Sequence, residues 1–430
     1  MLYLNKFINI YLLVVLIVIN FFLFKSTYIS YLIIFILLFS LIISKKVDEI
    51  VKSIFISILI LYLNNINIIR IIFIIIAFKL LLNIIFYGIK INKSLVIYFI
   101  FIFFIILGVV FSLDKKLAFE GLIMYFRVFI LSMYIIQCKD DINSFSETVN
   151  FIAFFNFIFI FIFYMCNYKI LGDVQRWDIY FNGTNGLRSN GIGTFIISMI
   201  PFNVYLVISN KDKMVKIVNF VLSFISIFTI FILSSRSAII TLIIVLIILY
   251  LKIDFKYKRK ITLYFIGILI IFIIINNILN LRIIENNLNR FLISNSIDDF
   301  SSGRINLYKD SILAFKNSPL IGIGVYNMGY FIYKYSIFLD CHNFILTYLS
   351  TTGLIGLILF ISWIYVTAIN PLIKTKIRNG LDIINPFLFA TIINIIQSLF
   401  EPVITVFIPF IMFSLYLNIS YKLYRLEVRR

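Results

Sequence analysis

Residues 340–364 read DCHNFILTYLSTTGLIGLILFISWI, and they mark the sharpest change of character in the chain. They contain the end of a long polar stretch, 283–341, which is followed by His342, the only histidine in the sequence. The apolar run 343–369 begins directly after His342 and exceeds the roughly 20 residues that a helix needs to cross a bilayer. The sequence therefore predicts that its water-facing chemistry lies where a polar loop meets a membrane helix.

Apolar runs recur along the whole chain, which is 62% hydrophobic with a mean hydropathy of +1.08. Lipid requires backbone groups to pair within each segment, so long runs predict helices, whereas outer-membrane barrels show short alternating strands. We predict an all-α, polytopic membrane helical bundle of about 12–14 transmembrane helices, with a long, partly helical outer loop before the last three spans. The runs are 7–24, 29–43, 50–63, 68–88, 95–112, 118–136, 149–166, 189–209, 217–233, 237–251, 261–281, 343–369, 383–399 and 403–420.

The chain is expected to form a single polytopic membrane domain, 1–430, with the outer loop 283–341 within it. The run 7–24 lacks a signal-peptide cleavage site and is interpreted as a retained first helix. The run 50–63 is short, so it either crosses the membrane, re-enters it or merges with a neighbour.

The net charge of +19 is explained by topology better than by nucleic-acid binding. Lys and Arg accumulate in the cytoplasmic loops of membrane proteins. They are dense in the short loops 45–52, 252–260 and 374–378, which predicts that both termini are cytoplasmic and that 283–341 lies outside.

The outer loop contains its own helix signals. Ser301-Ser302-Gly303 is a helix start, and Asn317-Ser318-Pro319 is a stop. Between them an apolar stripe at three- and four-residue spacing predicts an amphipathic helix that packs on the bundle. The stripe consists of Ile305, Tyr308, Ile312 and Phe315.

His342 is the first candidate for chemistry, with Asp340 as the expected N-cap of the helix that follows. A helix N-terminus disfavours a cation, so a neutral imidazole that accepts a proton from a hydroxyl is expected there. The alternative is an interfacial histidine without a catalytic role.

Three arginines are candidates for binding an anion. Arg304 is expected in the first turn of the loop helix, where a cation is favourable if an anion docks beside it. Arg236 lies in a very short outer link, and Arg188 stands at the head of a neighbouring span. Each arginine also has an interpretation without a bound substrate. Arg304 would then be exposed to water, and Arg236 and Arg188 would contact lipid headgroups.

Other polar residues are weaker candidates. Lys79 and Arg127 fall inside spans, where cations usually face a partner or a watery cavity. Glu401, in the last outer turn, either orients a base or is a solvated turn residue, and the turn interpretation is favoured. Cys166 and Cys341 are expected to remain free thiols rather than a disulfide, and no metal site is predicted.

The spacing of several motifs resembles the O-antigen ligase and polymerase superfamily. The motifs are Ser302-Gly303-Arg304, then Asn317-Ser318-Pro319-Leu320-Ile321-Gly322-Ile323-Gly324, then Cys341-His342-Asn343-Phe344-Ile345-Leu346, then Gly353-Leu354-Ile355-Gly356. The resemblance implies a metal-independent glycosyltransferase without a cofactor, in O-antigen, capsular or other surface polysaccharide biosynthesis. Its partners would be an undecaprenyl-diphosphate-linked glycan, an acceptor glycan or lipid, and the lipid bilayer of the bacterial inner membrane.

Carried over by motif, His342 would activate the acceptor hydroxyl, while Arg304 and Arg236 would hold the diphosphate, with Arg188 in the same role. Polymerase and ligase both remain open. A lipid-linked oligosaccharide flippase is the alternative from another class, since it also needs 12–14 spans, but it does not need a structured outer loop that ends in a histidine.

Overall fold

The chain folds into a bundle of apolar helices, as the sequence predicts. The computed structural model describes residues 10–24, 26–44, 46–64, 66–138, 142–167, 179–181, 185–187, 189–252, 255–278, 285, 303–374 and 384–428. Its helices are α1 (Ile10–Ile19, extended by a π-helical turn, Asn20–Phe24), α2 (Thr27–Ile43), α3 (Val47–Asn64), α4 (Ile69–Tyr87), α5 (Lys93–Val110), α6 (Lys115–Gln137), α7 (Ile142–Asn167), α8 (Ser189–Ser209), α9 (Lys213–Ile232), α10 (Arg236–Lys252), α11 (Phe255–Ile278), α12 (Arg304–Asn317), α13 (Met328–Tyr333), α14 (Phe344–Ile364, continued by Tyr365–Ile369 and Asn370–Lys374), α15 (Ile384–Gln397) and α16 (Phe407–Val428).

Every predicted apolar run coincides with one of these helices. Within the described ranges, 7 helices are long and apolar enough to cross a membrane, and several shorter apolar helices accompany them. The all-α polytopic membrane bundle is therefore confirmed, while the total of 12–14 spans stays a prediction. One small hairpin was not predicted: β1 (Ile179–Phe181) pairs antiparallel with β2 (Asn185–Leu187).

The short run 50–63 lies in a regular helix of 18 residues, α3. Its first turn carries Asp48 and Glu49, and the Nζ atom of Lys52 lies 3.1 Å and 3.2 Å from their carboxylates. Buried charges are tolerated only when paired in this way. The charged turn explains why the apolar run is shorter than the helix that contains it.

Side-chain amides connect the helices inside the bundle. Asn203, on α8, contacts Asn156 on α7 and Asn219 on α9 at 2.8 Å and 3.0 Å. Such hydrogen bonds hold membrane helices together, because an unpaired amide in an apolar interior is costly. A second link joins Asn418 of α16 to Ser132 of α6 at 2.9 Å.

The intramembrane lysine has backbone partners. Lys79 donates from Nζ to the carbonyl oxygens of Leu41 and Ser44, at the end of α2. The last carbonyls of a helix lack intrahelical partners and carry partial negative charge, so a cation is favourable there. Lys79 therefore stabilises the packing of α4 on α2.

The loop helix α12 packs on the bundle as predicted, in contact with α14. Ser311 and Ala314 are its buried residues, whereas Ile312 of the predicted stripe is 43% exposed. Ala314 packs with Ile323 and Met328, so part of the buried face is covered by the chain that follows α12. The predicted stripe was wrong at Ile312, although Ile305, Tyr308 and Phe315 are partly buried.

The glycine motifs form a strap across a break in α14. Gly353 has a φ of +66° inside that helix, and Gly322 has a φ of +78° in the segment 318–324. The N–H of Ile323 donates to the carbonyl of Ser350, and that of Leu354 to the carbonyl of Pro319. The backbone groups freed by the break are thus satisfied by the strap, which fixes the first half of α14 and the residues before it.

We predict that Gly353→Ala destabilises the protein strongly. A Cβ atom there would lie 2.4 Å from the carbonyl carbon of Leu320. The backbone conformation of Gly353, φ +66° and ψ −171°, is essentially restricted to glycine and costs another residue about 1–3 kcal/mol. The melting temperature in detergent measures the effect. Gly267→Ala is the control, because a Cβ atom meets nothing within 4 Å there, and it should leave stability unchanged or raise it by up to about 1 kcal/mol. Equal melting temperatures for wild type and Gly353→Ala would contradict the strap.

Candidate functional site

The side chain of Glu401 is the centre of a polar cluster at one end of the bundle, here called the Glu401 cluster. Its Oε1 atom accepts hydrogen bonds from Arg304 Nη2 at 2.6 Å, from Asn190 Nδ2 at 2.7 Å and from Ser237 Oγ at 3.2 Å. Its Oε2 atom lies 3.4 Å from His342 Nδ1. One buried carboxylate therefore brings together residues from α8, α10, α12 and the segment before α14.

Neighbouring backbone and side chains hold Glu401 in place. It follows α15, and its N–H donates to the carbonyl of Gln397 at 2.9 Å. The side-chain amide of Gln397 donates to Thr194 Oγ1 and Ser237 Oγ at 3.3 Å and 3.2 Å, and its oxygen accepts from Thr241 at 2.6 Å. Because every member of this network is buried and partnered, it positions the carboxylate rigidly.

Glu401 was underestimated from the sequence. The favoured interpretation, a solvated turn residue, is wrong, because the residue is 5% exposed and accepts three side-chain hydrogen bonds. The position of the residue at the end of a span was visible in the sequence. Its three donors and His342 come from four distant parts of the chain, and no local pattern connects them.

His342 has a strained backbone at the start of α14. Its φ is +57°, in the left-handed region that favours glycine, and its N–H donates to Asp340 Oδ1 at 2.7 Å. Non-glycine residues in this region cluster at functional sites, where the surrounding structure supports the strain. The imidazole is 35% exposed, so a substrate can reach it while Nδ1 faces Glu401.

The predicted cap of α14 was wrong by three residues. Asn343, not Asp340, is the N-cap, and its Oδ1 atom accepts from the N–H of Leu346 at 3.2 Å. Asp340 instead supports the backbone of His342 and contacts Thr347. His342 therefore precedes the helix rather than beginning it. The expected effect of the helix dipole on the charge of its imidazole assumed a position inside the helix, so it does not carry over to His342.

Arg304 opens α12 directly after Gly303, whose φ of +77° sets the entry of the chain. A cation in the first turn of a helix needs an anion close by. The structure supplies one from the protein, the carboxylate of Glu401, at 2.6 Å. Arg304 is 18% exposed, and the remaining N–H groups of a guanidinium can bind a second anion.

Burial and charge act in opposite directions on the two acids of the site. Burial alone would raise the pKa of Glu401, but contact with His342 and the charge of Arg304 hold that pKa below its usual value of 4.5. Burial raises the pKa of Asp340, and the hydrogen bond that it accepts from the backbone N–H of His342 opposes the rise. Glu401 is therefore the stable anion of the cluster.

The other predicted site residues have different outcomes. Arg236 is the first residue of α10, between Ser235, which donates to Asn190 Oδ1 at 3.2 Å, and Ser237. Its backbone therefore lies beside the cluster, and its role there stays a prediction. Arg188 lies outside the described residues. The cysteines Cys138, Cys166 and Cys341 are free thiols, as predicted. Within the part of the chain that the structure describes, no three His, Cys, Asp or Glu side chains are grouped as metal ligands.

The fold and the site together define a multi-pass membrane protein that holds an arginine and a histidine on one carboxylate at one end of its bundle. Residues 221–361 match the protein family described as O-antigen ligase. This segment is about a third of the chain, and it includes Arg236, Arg304 and His342. The match confirms the resemblance to the O-antigen ligase and polymerase superfamily, and it supports a function of this type in surface polysaccharide biosynthesis. No curated protein matches the chain.

We predict that Glu401→Gln destabilises the protein in a pH-dependent manner. The pKa of Glu401 is lowered by folding, so the ionised carboxylate stabilises the fold above pH 4.5, and this contribution is lost as the pH falls through the lowered pKa. At pH 7 the variant leaves Arg304 without its anion, which costs about 3–5 kcal/mol.

Melting temperatures from pH 7 to pH 3.5 test this expectation. The difference in melting temperature between wild type and Glu401→Gln should be largest at pH 7 and should decrease below pH 4.5. Glu120→Gln is the control, because Glu120 is exposed and makes no salt bridge with any residue in the described ranges. A gap of the same size at every pH would show that the charge of Glu401 does not stabilise the cluster.

Proposed function

We propose that this protein is a glycosyltransferase that transfers or polymerises glycan from a polyprenyl diphosphate donor, such as undecaprenyl diphosphate, onto an acceptor hydroxyl. The observation that supports this proposal most is the shared carboxylate: Glu401 contacts a guanidinium and an imidazole at once. A diphosphate leaving group needs positive charge, and an attacking hydroxyl needs a base. The cluster holds one side chain of each kind within reach of a single substrate.

The distribution of charge supports the outer face of the bacterial inner membrane as the place of the reaction. The Glu401 cluster lies at the ends of α10, α14 and α15 that are opposite to the Lys- and Arg-rich loops 252–260 and 374–378. Such loops stay in the cytoplasm. The cluster, and the loop 283–341 that contributes Arg304, would then face outward within a single polytopic domain, with both termini cytoplasmic.

His342 is proposed as the general base. With Nδ1 directed to Glu401, the ring presents Nε2 to the substrate, as in sites where a carboxylate orients a histidine. Nε2 takes the proton of the acceptor hydroxyl while the oxygen of that hydroxyl attacks the anomeric carbon of the donor sugar. The bond from that carbon to the diphosphate oxygen breaks, and polyprenyl diphosphate leaves with the electron pair. Glu401 is a positioning residue in this scheme.

Arg304 and Arg236 are proposed to bind the diphosphate, and Arg188 is proposed for the same role. Arg304 uses one nitrogen, Nη2, for Glu401, and the rest of its planar fork is suited to two phosphate oxygens. The positive charge stabilises the leaving group without requiring a metal ion. Polymerase and ligase activities share this chemistry and differ in the acceptor.

We predict that His342→Ala abolishes glycan transfer while the protein remains inserted in the membrane. Loss of a general base lowers rates by about 10²–10⁴-fold. Polymer length or ligated product, measured in cells at matched expression, gives the readout, together with the leaflet in which the lipid-linked donor accumulates. Accumulation in the outer leaflet supports a transferase. Accumulation in the inner leaflet would instead support a flippase, and near-normal product would remove His342 from the chemistry.

Arg304→Lys should also lose transfer activity, although it keeps the positive charge. A lysine cannot contact Glu401 and two phosphate oxygens with one planar group, so we expect a loss of at least about tenfold in rate. Lys309→Ala is the matched control, because Lys309 is an exposed cation on the same helix. Wild-type activity in the Arg304→Lys variant would contradict the bidentate role of this residue.

A further inference from the structure

A second pair of arginines lies outside the Glu401 cluster, on α4 and α6. The guanidinium of Arg127 lies over the ring of Phe407, 5.0 Å from its centroid. The same ring lies 6.3 Å from that of Phe73, one helical turn after Arg70 on α4. Three helices, α4, α6 and α16, therefore bring these two cations to one aromatic surface.

These contacts determine the depth of Arg127. Phe407 is the first residue of α16, and Arg70 lies in the first turn of α4. Both helices begin at the end of the bundle that carries Glu401, since Glu401 lies in the turn directly before α16. Arg127 lies near the middle of the apolar helix Lys115–Gln137, as the sequence predicts. Its guanidinium reaches the level of the first turns of α4 and α16.

Neither arginine has an acidic partner in the described ranges, where the salt bridges involve other residues. The nearest acid in sequence on the same helix as Arg127 is Glu120, two turns away and exposed. Two neighbouring cations repel each other, and an anion bound between them offsets this repulsion. The N-termini of α4 and α16 add positive potential at the same place.

We propose that Arg70 and Arg127 form a binding site for a phosphate group beside the first turns of α4 and α16. Guanidinium groups match phosphate oxygens in geometry as well as charge. After Arg70, α4 exposes three apolar side chains: Ile71, Ile74 and Phe78 are 44%, 68% and 60% exposed. If the phosphate belongs to an anionic phospholipid, the acyl chains of that lipid would lie along these side chains. Free phosphate is the other source of the same chemistry.

Lipid binding to the purified full-length protein tests the site without reference to glycan transfer. Native mass spectrometry in detergent compares phosphatidylglycerol with phosphatidylcholine, whose choline compensates the phosphate charge. The double variant R70Q/R127Q should retain at least about tenfold less phosphatidylglycerol than wild type, with no change for phosphatidylcholine. The control K115Q/K116Q removes the same charge from exposed positions of α6 and should retain wild-type binding. The single variant Arg70→Gln should lose part of the phosphatidylglycerol binding. Because Arg70 is exposed, this substitution should leave the fold intact.

A second arm distinguishes the two sources of phosphate. If the site takes free phosphate, inorganic phosphate alone raises the melting temperature of wild type but not of R70Q/R127Q. If it takes lipid, only phosphatidylglycerol does so. Equal loss of phosphatidylglycerol in R70Q/R127Q and K115Q/K116Q would overturn the proposal in favour of general charge attraction. Wild-type retention in R70Q/R127Q, with no effect of inorganic phosphate, would also overturn it.

Discussion

The ionised carboxylate of Glu401 is the constraint on which the arrangement of the candidate site depends. Its Oε1 atom accepts from Arg304, Asn190 and Ser237, and its Oε2 atom faces His342. A buried carboxylate is stable only when its charge and lone pairs are matched. The four partners come from separate helices and from the loop. Satisfying Glu401 therefore assembles the site and fixes the position of α12.

The strap and the broken helix provide the second level of support. A continuous helix through Gly353 would leave no place for the backbone hydrogen bonds of the segment 318–324. The break lets α14 and the loop exchange these bonds, so the loop is attached to the membrane bundle by backbone as well as by side chains. His342 begins this supported segment, in a backbone conformation that few residues adopt unaided.

Much of the fold could be predicted from the sequence, because hydropathy and helix length are local properties. Each apolar run became a helix, and the glycine and His-Asn motifs identified the family resemblance. The exposure of Ile312 could not be predicted, since the most buried positions of α12 are the small residues Ser311 and Ala314 rather than its largest apolar side chains. The burial of Glu401 and the contact of Arg127 with Phe407 could not be predicted for a similar reason. The partners lie far away in the sequence, so only the packed bundle reveals the contacts with Arg304 and Phe407.

The central claim is that Arg304 and Glu401 act as one unit, and a double-mutant cycle on stability tests it most directly. The cycle compares the free energies of unfolding of wild type, Arg304→Gln, Glu401→Gln and the double variant at pH 7. Each single change strands a charge in a buried place, so the double variant should be less destabilised than the sum, by about 0.5–3 kcal/mol. Effects that add to within about 0.3–0.5 kcal/mol would mean that the two residues are energetically independent, which contradicts the account.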